Sequence, residues 1–422
     1  MSIPHRVPGL VLTDHEFEVP LDHDAPGGET IRVFAREVVA PGKEHADLPW
    51  MVYLQGGLGF EAPRPTGASG WVKRALKDHR LLLLDQRGTG RSTLVHAASV
   101  VRRGTPEAQA AYLALFRQEQ IIRDCEFIRA RLAKGNRWKV LGQSWGGFLA
   151  TAYLSRAPEG LSAALITGGV PPLATPIDDI YRATYRRVLR RNQRYFERYP
   201  ADRAAVDEIG RRLGAEDVRL PNGDRLSVRR FQQLGMAFGM SDGFETIHAL
   251  IESAFDGGEW NPAFLIDVDR QQSFTRNPIF AILHEPIYAQ GSAPNWSAER
   301  IRPEYPEFDC PAPLFFTGEM IYPWMFDDYQ ALAPMKAAAD LLAAKRDWPV
   351  VYDPGTLSRN QVPTAACVYL DDMYVEWAYS EETARAIPGF RLWATNEYDH
   401  NGLRADGEKI LDRLLGMVSG EV

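Results

Sequence analysis

Short, unbroken apolar runs along the chain predict strands that are buried on both faces of a parallel sheet. A strand with one wet face would instead alternate apolar and polar residues. The runs are LPWMVYLQGG at 48–57, HRLLLLDQRG at 79–88, WKVLGQ at 138–143, AALITGGV at 163–170, VPTAACVYLDD at 362–372 and GFRLWAT at 389–395. Two earlier segments, HEFEVPL and TIRVFAREVVA, are typical of further strands, with turn residues between them.

Helical patterns separate most of these strands. One helix is predicted over residues 105–134, where Ile121, Cys125, Ile128 and Leu132 recur at helical spacing. Strands that alternate with helices indicate an α/β domain with a mostly parallel sheet.

This alternation stops near residue 176 and resumes near residue 336. The residues between are rich in Arg, Tyr, Phe and Trp and have mostly helical patterns. We therefore expect one α/β domain formed by residues 1–176 and 336–422, with residues 177–335 inserted as a helical cap. The basic segment YRATYRRVLRRNQRYFERY fits an amphipathic cap helix better than a nucleic-acid site, because its apolar residues form one stripe.

Composition narrows the classes of partner. The 422 residues include 48 Lys and Arg and 55 Asp and Glu, which gives a net charge of −7. A net negative charge provides no electrostatic attraction for nucleic acid or anionic lipid. Three widely spaced cysteines form no disulfide framework and favour a reducing compartment. The first residues lack a signal-peptide pattern, and no run reaches the roughly 20 apolar residues of a membrane span. We expect a cytoplasmic protein without nucleic-acid or membrane partners.

The segment GQSWG at 142–146 matches G-x-S-x-G between a predicted strand and a predicted helix. In that context the serine lies on a tight strand-to-helix turn that requires small residues two positions away on each side. The turn exposes the hydroxyl at a helix N-terminus, where negative charge is stabilised. Ser144 is therefore the candidate nucleophile of a serine hydrolase.

A serine needs a base, and in this fold the base follows the nucleophile and the acid along the chain. The histidines after Ser144 are His248, His284 and His400, and the first two fall in the predicted cap. His400 follows the strand GFRLWAT and is the candidate base.

The acid is expected at the end of the preceding strand, where Asp371 and Asp372 are adjacent. Neighbouring residues on a strand point to opposite faces, so only one of them can reach His400. Asp353 and Asp399 are weaker alternatives.

Acyl transfer also needs donors for the developing oxyanion. One is expected from the backbone N–H of Trp145, which follows the nucleophile, and the other from the glycine loop QGGLG at 55–59, at Gly57.

Three motifs together resemble the prolyl aminopeptidase (proline iminopeptidase) family of α/β-hydrolase serine peptidases, in its longer bacterial branch. They are QGGLG at 55–59, DQRGTGRS at 85–92 and GQSWGG at 142–147, and the similarity extends over nearly the whole chain. Leu58 departs from the family, which usually has proline there. Asp85, Arg87 and Arg91 of the second motif are expected to form a hydrogen-bonded structural corner.

The resemblance implies an α/β-hydrolase fold and release of N-terminal proline from short peptides, without a metal or other cofactor. It favours Asp372 as the acid, since the family has its acid in a similar strand-end segment. Family members bind the substrate amine with cap glutamates, which points to Glu285 and, from a poorer match, to Glu245, with Glu252 and Glu319 as alternatives. The competing hypothesis is an esterase or amidase that acts on small acyl compounds.

Overall fold

The computed structural model describes residues 4–309 and 312–422, in which nine strands form one sheet. The strands, in chain order, are β1 (His5–Val7), β2 (Leu10–Pro20), β3 (Thr30–Val39), β4 (Trp50–Leu54), β5 (Arg80–Asp85), β6 (Trp138–Gln143), β7 (Leu161–Thr167), β8 (Phe255–Asp256), β9 (Glu259–Trp260), β10 (Thr364–Tyr369) and β11 (Phe390–Thr395). The large sheet has the order β1-β2-β3-β5-β4-β6-β7-β10-β11, and β8 and β9 form a separate hairpin. Strands β1 to β3 are antiparallel to their neighbours, and every neighbouring pair from β5 to β11 is parallel.

Helices connect and cover these strands. They are α1 (Gly70–Ala75), α2 (Ala97–Val101), α3 (Pro106–Ala114), α4 (Gln118–Leu132), α5 (Trp145–Arg156), α6 (Ile177–Arg198), α7 (Asp202–Ala215), α8 (Val228–Gln232), α9 (Gly243–Glu252), α10 (Pro262–Gln271), α11 (Pro278–Leu283), α12 (Ser297–Ile301), α13 (Met325–Asp328), α14 (Lys336–Ala344), α15 (Pro354–Leu357), α16 (Trp377–Ala386), α17 (Gly402–Ala405) and α18 (Gly407–Ser419). Within the two described ranges, no helix has both the length and the apolar content that a bilayer crossing requires.

The central strands bury side chains on both faces, as their apolar runs predict. Val52 and Leu82 pack into one core with α4 and α5, whereas Met51 and Leu81 pack into a second core with α18 on the opposite face. The predicted α/β class with a mostly parallel sheet is confirmed.

The single helix predicted over residues 105–134 is instead two helices, α3 and α4. Arg117 lies at the break with an extended backbone (φ −88°, ψ −178°) and directly precedes α4. Its buried guanidinium donates a hydrogen bond to the carbonyl oxygen of Ala289 at 3.0 Å. This contact with a distant segment accounts for a break that helical spacing does not reveal.

The long connection between β7 and β10 carries most of the remaining helices. In the part of residues 177–335 that the structure describes, the chain forms α6 to α13 and the β8–β9 hairpin and adds no strand to the large sheet. We propose from this arrangement that residues 177–335 are the cap and that residues 1–176 and 336–422 form the main domain.

The turn between β6 and α5 packs directly against the end of β4. A Cβ atom at Gly146 would overlap the carbonyl oxygen of Leu54, and a Cβ atom at Gly142 would overlap the carbonyl oxygen of Gly146. These obstacles are main-chain atoms of a central strand and of the turn itself, so they cannot rotate away as a side chain would.

We predict that Gly146→Ala lowers the free energy of unfolding by about 2 kcal/mol or more, because the added methyl displaces the β4 main chain. The matched control is Gly214→Ala, which also lies in a helix but has open space around it. That control should be neutral or stabilising by up to about 1 kcal/mol, since alanine favours the helix. Urea denaturation of both variants provides the comparison, and equal stability of the two would contradict the packing argument.

Candidate active site

Ser144 lies on a strained turn at the carboxyl edge of the sheet. Its φ of 51° and ψ of −121° are unusual for a residue with a side chain. The turn is held from the next strand, because the Ser144 N–H donates to the carbonyl oxygen of Thr167 at 2.9 Å. The hydroxyl therefore projects from the first turn of α5 into a cavity above the sheet.

His400 lies in the loop after β11 and is nearly buried, with 4% of its surface exposed. Its Nε2 atom is 2.8 Å from Ser144 Oγ. Its own backbone N–H donates to the carbonyl oxygen of Gly239 in the cap at 3.2 Å. The ring also meets the ring of Tyr374 edge to face, with 4.6 Å between their centroids. The ring is thus held by Tyr374, and the backbone of its loop is held by the segment that contains Gly239.

Asp372 completes a continuous line of hydrogen bonds. Its Oδ2 atom is 2.7 Å from His400 Nδ1. Its Oδ1 atom accepts the backbone N–H groups of Tyr374 at 2.8 Å and Val375 at 3.1 Å. The loop that follows β10 therefore orients the carboxylate, and the three side chains are arranged as acid, base and nucleophile.

The other candidate acids lie elsewhere. Asp371 points away from His400 and accepts a hydrogen bond from Arg194 at 3.0 Å. Asp399 forms an ion pair with Arg191, and Asp353 caps the start of α15. Of the four aspartates considered from the sequence, the structure joins only Asp372 to His400.

Carboxylates around His400 set its protonation. Burial alone lowers the pKa of His400, but the charge and hydrogen bond of Asp372 raise it, and the nearby Glu319 and Asp399 carboxylates add to this. The net result is a pKa above the ordinary histidine value, so the imidazolium that forms after proton uptake is stabilised.

Of the two predicted oxyanion donors, the Trp145 N–H is already engaged in a hydrogen bond within the protein. The Trp145 N–H donates to the carbonyl oxygen of Gly56 at 3.1 Å. The C=O of Gly56 and the N–H of Gly57 belong to one peptide plane and point in opposite directions. A substrate oxygen can take both N–H groups only after this peptide rotates, which flanking glycines permit.

Gln86 connects the glycine loop to the nucleophile turn, a role that sequence reasoning missed. Its side-chain amide donates to the carbonyl oxygen of Gln55 at 3.2 Å and accepts the indole N–H of Trp145 at 3.0 Å. Gln86 is part of the motif DQRGTGRS, for which the sequence analysis assigned roles only to the charged residues. Those residues do form a structural corner, with Asp85 accepting hydrogen bonds from Arg64 and from the backbone of Arg91.

Ser144 and His400 open onto a cavity of about 340 Å³ at the junction of sheet and cap. Aromatic residues form much of its wall, namely Phe60, Phe274, Phe280, Tyr329 and Tyr374. The polar lining residues include Gln233, Gln272, Asn277 and Glu319. The cavity suits a small, largely apolar acyl group that carries one charged or polar feature.

Comparison with known proteins identifies the family of this chain. A sequence model of the alpha/beta hydrolase fold matches residues 49–403. The chain is 50% identical over 420 residues to a proline iminopeptidase of Aeromonas sobria, covering 98% of this chain and 99% of that protein. The chain belongs to the proline iminopeptidase family of α/β hydrolases.

A second curated relative carries the same name. A proline iminopeptidase of Aspergillus aculeatus is 34% identical over 427 residues, covering 98% of this chain and 95% of that protein. A crystal structure of a proline iminopeptidase from Mycobacterium smegmatis is 14% identical with a TM-score of 0.45, covering 97% of this chain and all of that one.

The two glutamates expected from the family to bind an amine do not face the cavity. Glu285 is 2% exposed, and its two carboxylate oxygens accept the backbone N–H groups of Ser297 at 2.8 Å and Ala298 at 2.9 Å. Burial raises the pKa of Glu285 to about 8, although these N–H groups oppose the shift. Glu245 is exposed on α9 and forms an ion pair with Arg198. Both residues have structural partners, so the structure does not support either choice.

Glu319 is the carboxylate that the cavity contains. Burial, with a contribution from Asp372, raises its pKa to about 7 despite the attraction of His400. Within residues 4–309 and 312–422, no lysine or arginine pairs with it. The buried side chain of His284 forms a hydrogen bond with the main chain of Glu319. Sequence reasoning had Glu319 only as an alternative, since nothing local distinguishes it from other glutamates. The remaining alternative, Glu252, is an exposed helix residue.

We predict that Asp372→Asn slows labelling of the nucleophile by a fluorophosphonate at least about a thousandfold, because the imidazole loses its orientation and its stabilising charge. Asp371→Asn is the matched control with the same change one residue away. It should stay within about threefold of the unmodified protein, since Asp371 contacts only arginines. Equal losses in the two variants would contradict the assignment of the acid.

Proposed function

We propose that this protein is a serine aminopeptidase that releases N-terminal proline from short peptides, with Ser144 as nucleophile, His400 as base and Asp372 as acid. The observation that supports it best is the hydrogen-bonded line from Asp372 through His400 to Ser144 at the floor of a cavity. This geometry occurs in a chain that is 50% identical to a proline iminopeptidase along its full length.

In the first half of the reaction, Ser144 Oγ attacks the prolyl carbonyl carbon while its proton passes to His400 Nε2. Asp372 keeps the imidazole in the correct tautomer and stabilises the imidazolium. The C–N bond then breaks, and His400 donates the proton to the departing amine nitrogen. The products are the shortened peptide and a prolyl ester on Ser144.

In the second half, water replaces the peptide. His400 takes a proton from the water as its oxygen attacks the ester carbonyl, and returns that proton to Ser144 Oγ as the C–O bond breaks. Free proline leaves, and the hydroxyl is restored. No external reductant, oxidant or metal is consumed in either half.

The tetrahedral intermediates carry negative charge on the carbonyl oxygen. We propose the backbone N–H groups of Trp145 and Gly57 as its donors. The peptide between Gly56 and Gly57 must rotate first, because the Gly56 carbonyl oxygen accepts the Trp145 N–H before substrate binds. Gln86 fixes the neighbouring Gln55 and the Trp145 indole, so the rotation stays confined to this peptide.

Glu319 is the proposed partner of the substrate amine. An N-terminal proline carries a secondary ammonium group close to the bond that is cut, and a buried ammonium needs an opposite charge. Glu319 shares the cavity wall with Ser144 and His400, and no lysine or arginine among the described residues pairs with it. Its elevated pKa indicates a carboxylate that gains greatly from such a partner.

We also propose a cytoplasmic location, in keeping with a reducing compartment. Cys125 and Cys367 are free, buried thiols, and burial raises the pKa of both. Cys310 lies outside the described residues.

We predict that an N-acetylated prolyl naphthylamide is cleaved at least about a hundredfold more slowly than the free-amine substrate, roughly 3 kcal/mol of lost transition-state stabilisation. Blocking the amine removes the charge and leaves Glu319 in the cavity without a partner. Glu319→Gln should lower kcat/KM for the free-amine substrate at least about tenfold and change the blocked one little.

The matched control is Glu285→Gln, a buried glutamate with the same substitution but backbone partners of its own. It should keep the discrimination between the two substrates. Ser144→Ala gives the background rate. Equal rates on both substrates with the unmodified enzyme would favour the esterase or amidase hypothesis. Full discrimination in Glu319→Gln would exclude Glu319 as the amine partner.

We predict a further effect of Glu319 on stability. The folded state holds its proton up to about pH 7, whereas an unfolded chain releases it near pH 4.5. The folded state therefore binds more protons between these values, and the stability due to this group falls as pH rises through the window. Glu319→Gln should raise the free energy of unfolding at pH 8 by about 1 kcal/mol or more and leave it nearly unchanged at pH 4. Urea denaturation at both values provides the test, and an equal effect at both would contradict the raised pKa.

A further inference from the structure

Two loops leave the carboxyl edge of the sheet side by side. The acid loop (370–376) carries Asp372, and the base loop (396–401) carries His400. Beyond the last bond at the sheet edge, which the Leu370 N–H donates, no main-chain hydrogen bond joins the two loops in the described residues. The hydrogen bonds of the sheet therefore end before the point where Asp372 meets His400. Other contacts must fix the position of one loop relative to the other.

Helix α6 of the proposed cap crosses these loops with three arginines. Arg187, Arg191 and Arg194 follow one another at spacings of four and three residues, so they share one face of the helix. All three contact the acid loop or the base loop. Arg186 and Arg190, which directly precede Arg187 and Arg191 in sequence, are exposed. The positive charge of this helix is thus divided between a solvated side and a side directed at the site.

Two of these arginines hold the acid loop at both ends. Arg187 donates to the carbonyl oxygen of Leu370 at 2.7 Å and binds both carboxylate oxygens of Glu376, at 2.8 and 2.5 Å. Arg194 donates to the carboxylate of Asp371 at 3.0 Å. Bidentate, charge-assisted bonds of this kind fix orientation as well as distance.

The third arginine joins the two loops to each other. A single nitrogen of Arg191, Nη2, donates to the carbonyl oxygen of Asp371 at 3.0 Å and also to the carboxylate of Asp399. Asp371 directly precedes Asp372, and Asp399 directly precedes His400. Arg191 is only 8% exposed, so water does not compete strongly for these bonds.

We propose that Arg191 is a positioning residue that ties the acid loop to the base loop, so that the cap helix sets the spacing between Asp372 and His400. This inference rests on the roles given to those two residues under the proposed function. It assigns Arg191 no contact with substrate. Arg187 assists by holding the acid loop at Leu370 and Glu376, on either side of the bridge.

The bridge also has an electrostatic consequence. The charged groups that act on His400 are Asp372 from the acid loop, Glu319 from the cavity wall and Asp399 from its own loop. Arg191 neutralises the carboxylate of Asp399. Of the three carboxylates, Asp399 is the one that neither lines the cavity nor bonds to the His400 ring. Removing the Arg191 charge leaves Asp399 uncompensated beside the imidazole, which favours the imidazolium.

The test compares Arg191→Gln, Arg191→Lys and the exposed control Arg190→Gln in the full chain. For each variant we would measure kcat and KM with prolyl naphthylamide. The rate of fluorophosphonate labelling would be measured in buffers from about pH 5 to about pH 9. For Arg191→Gln we expect a kcat lower by roughly tenfold to a hundredfold with KM changed less than about threefold, since only the geometry of the reacting groups suffers. The acid limb of the labelling profile should move upward by about half a pH unit.

Arg191→Lys keeps the charge but loses the planar fork, so it should restore the pH limb without fully restoring kcat. Arg190→Gln should match the unmodified enzyme in both. Asp399→Asn breaks the same bridge from the base loop and should lower kcat while moving the acid limb downward, which provides a second route if Arg191→Gln fails to fold.

The proposal is overturned if folded Arg191→Gln keeps kcat within about threefold with an unmoved pH limb. It is equally overturned if Arg190→Gln loses as much as Arg191→Gln, or if Asp399→Asn leaves both measurements unchanged. Failure of the proposed function would be seen differently, as absence of Ser144 labelling in the unmodified protein.

Discussion

The left-handed turn at Ser144 is the constraint around which the rest of the site is built. A serine with φ of 51° persists only where the surrounding main chain leaves no alternative, and here the ends of three strands enclose it. Glycines at the contact points let those strands approach within backbone distance. The Ser144 hydroxyl is thereby placed at the edge of the sheet by main-chain contacts alone.

His400 and Asp372 reach this point from loops that the sheet cannot control by itself. Parallel pairing aligns β10 with β11 and delivers the two loops to one edge, but the pairing ends at Tyr369 and Thr395. From there contacts with the proposed cap help to set the geometry, including the main-chain bond from the His400 N–H to the Gly239 carbonyl oxygen. Contacts from residues 177–335 therefore help to fix the loop that carries His400.

Features encoded by neighbouring residues were predictable from the sequence. Buried strands are recognisable as apolar runs, and the turn around Ser144 requires small residues at fixed positions within the five-residue motif GQSWG. His400 followed from chain order, and Asp372 from a resemblance that the hydrogen-bond geometry matches. Alternation alone did not separate Asp372 from Asp371, because it leaves open which face of the strand meets the base.

Features that depend on distant contacts were not predictable in the same way. The break between α3 and α4 reflects a buried bond from Arg117 to a segment far along the chain. Glu285 was a reasonable choice for an amine partner until the structure placed it under the N-terminus of α12. A glutamate at the start of a helix and a glutamate in a cavity have the same local sequence character, and only the fold distinguishes them.

The elevated pKa of Glu319 has a consequence for how the pocket fills. Near neutral pH an empty pocket holds this carboxyl group partly protonated, whereas a bound ammonium group requires it ionised. Under the proposed role of Glu319, binding of a cationic substrate therefore releases a proton to the solvent. The heat of binding includes the ionisation heat of whatever buffer receives that proton, and calorimetric enthalpies will differ between phosphate and Tris while the affinity stays the same. Each peptide that docks thus acidifies its surroundings slightly before any bond is cut.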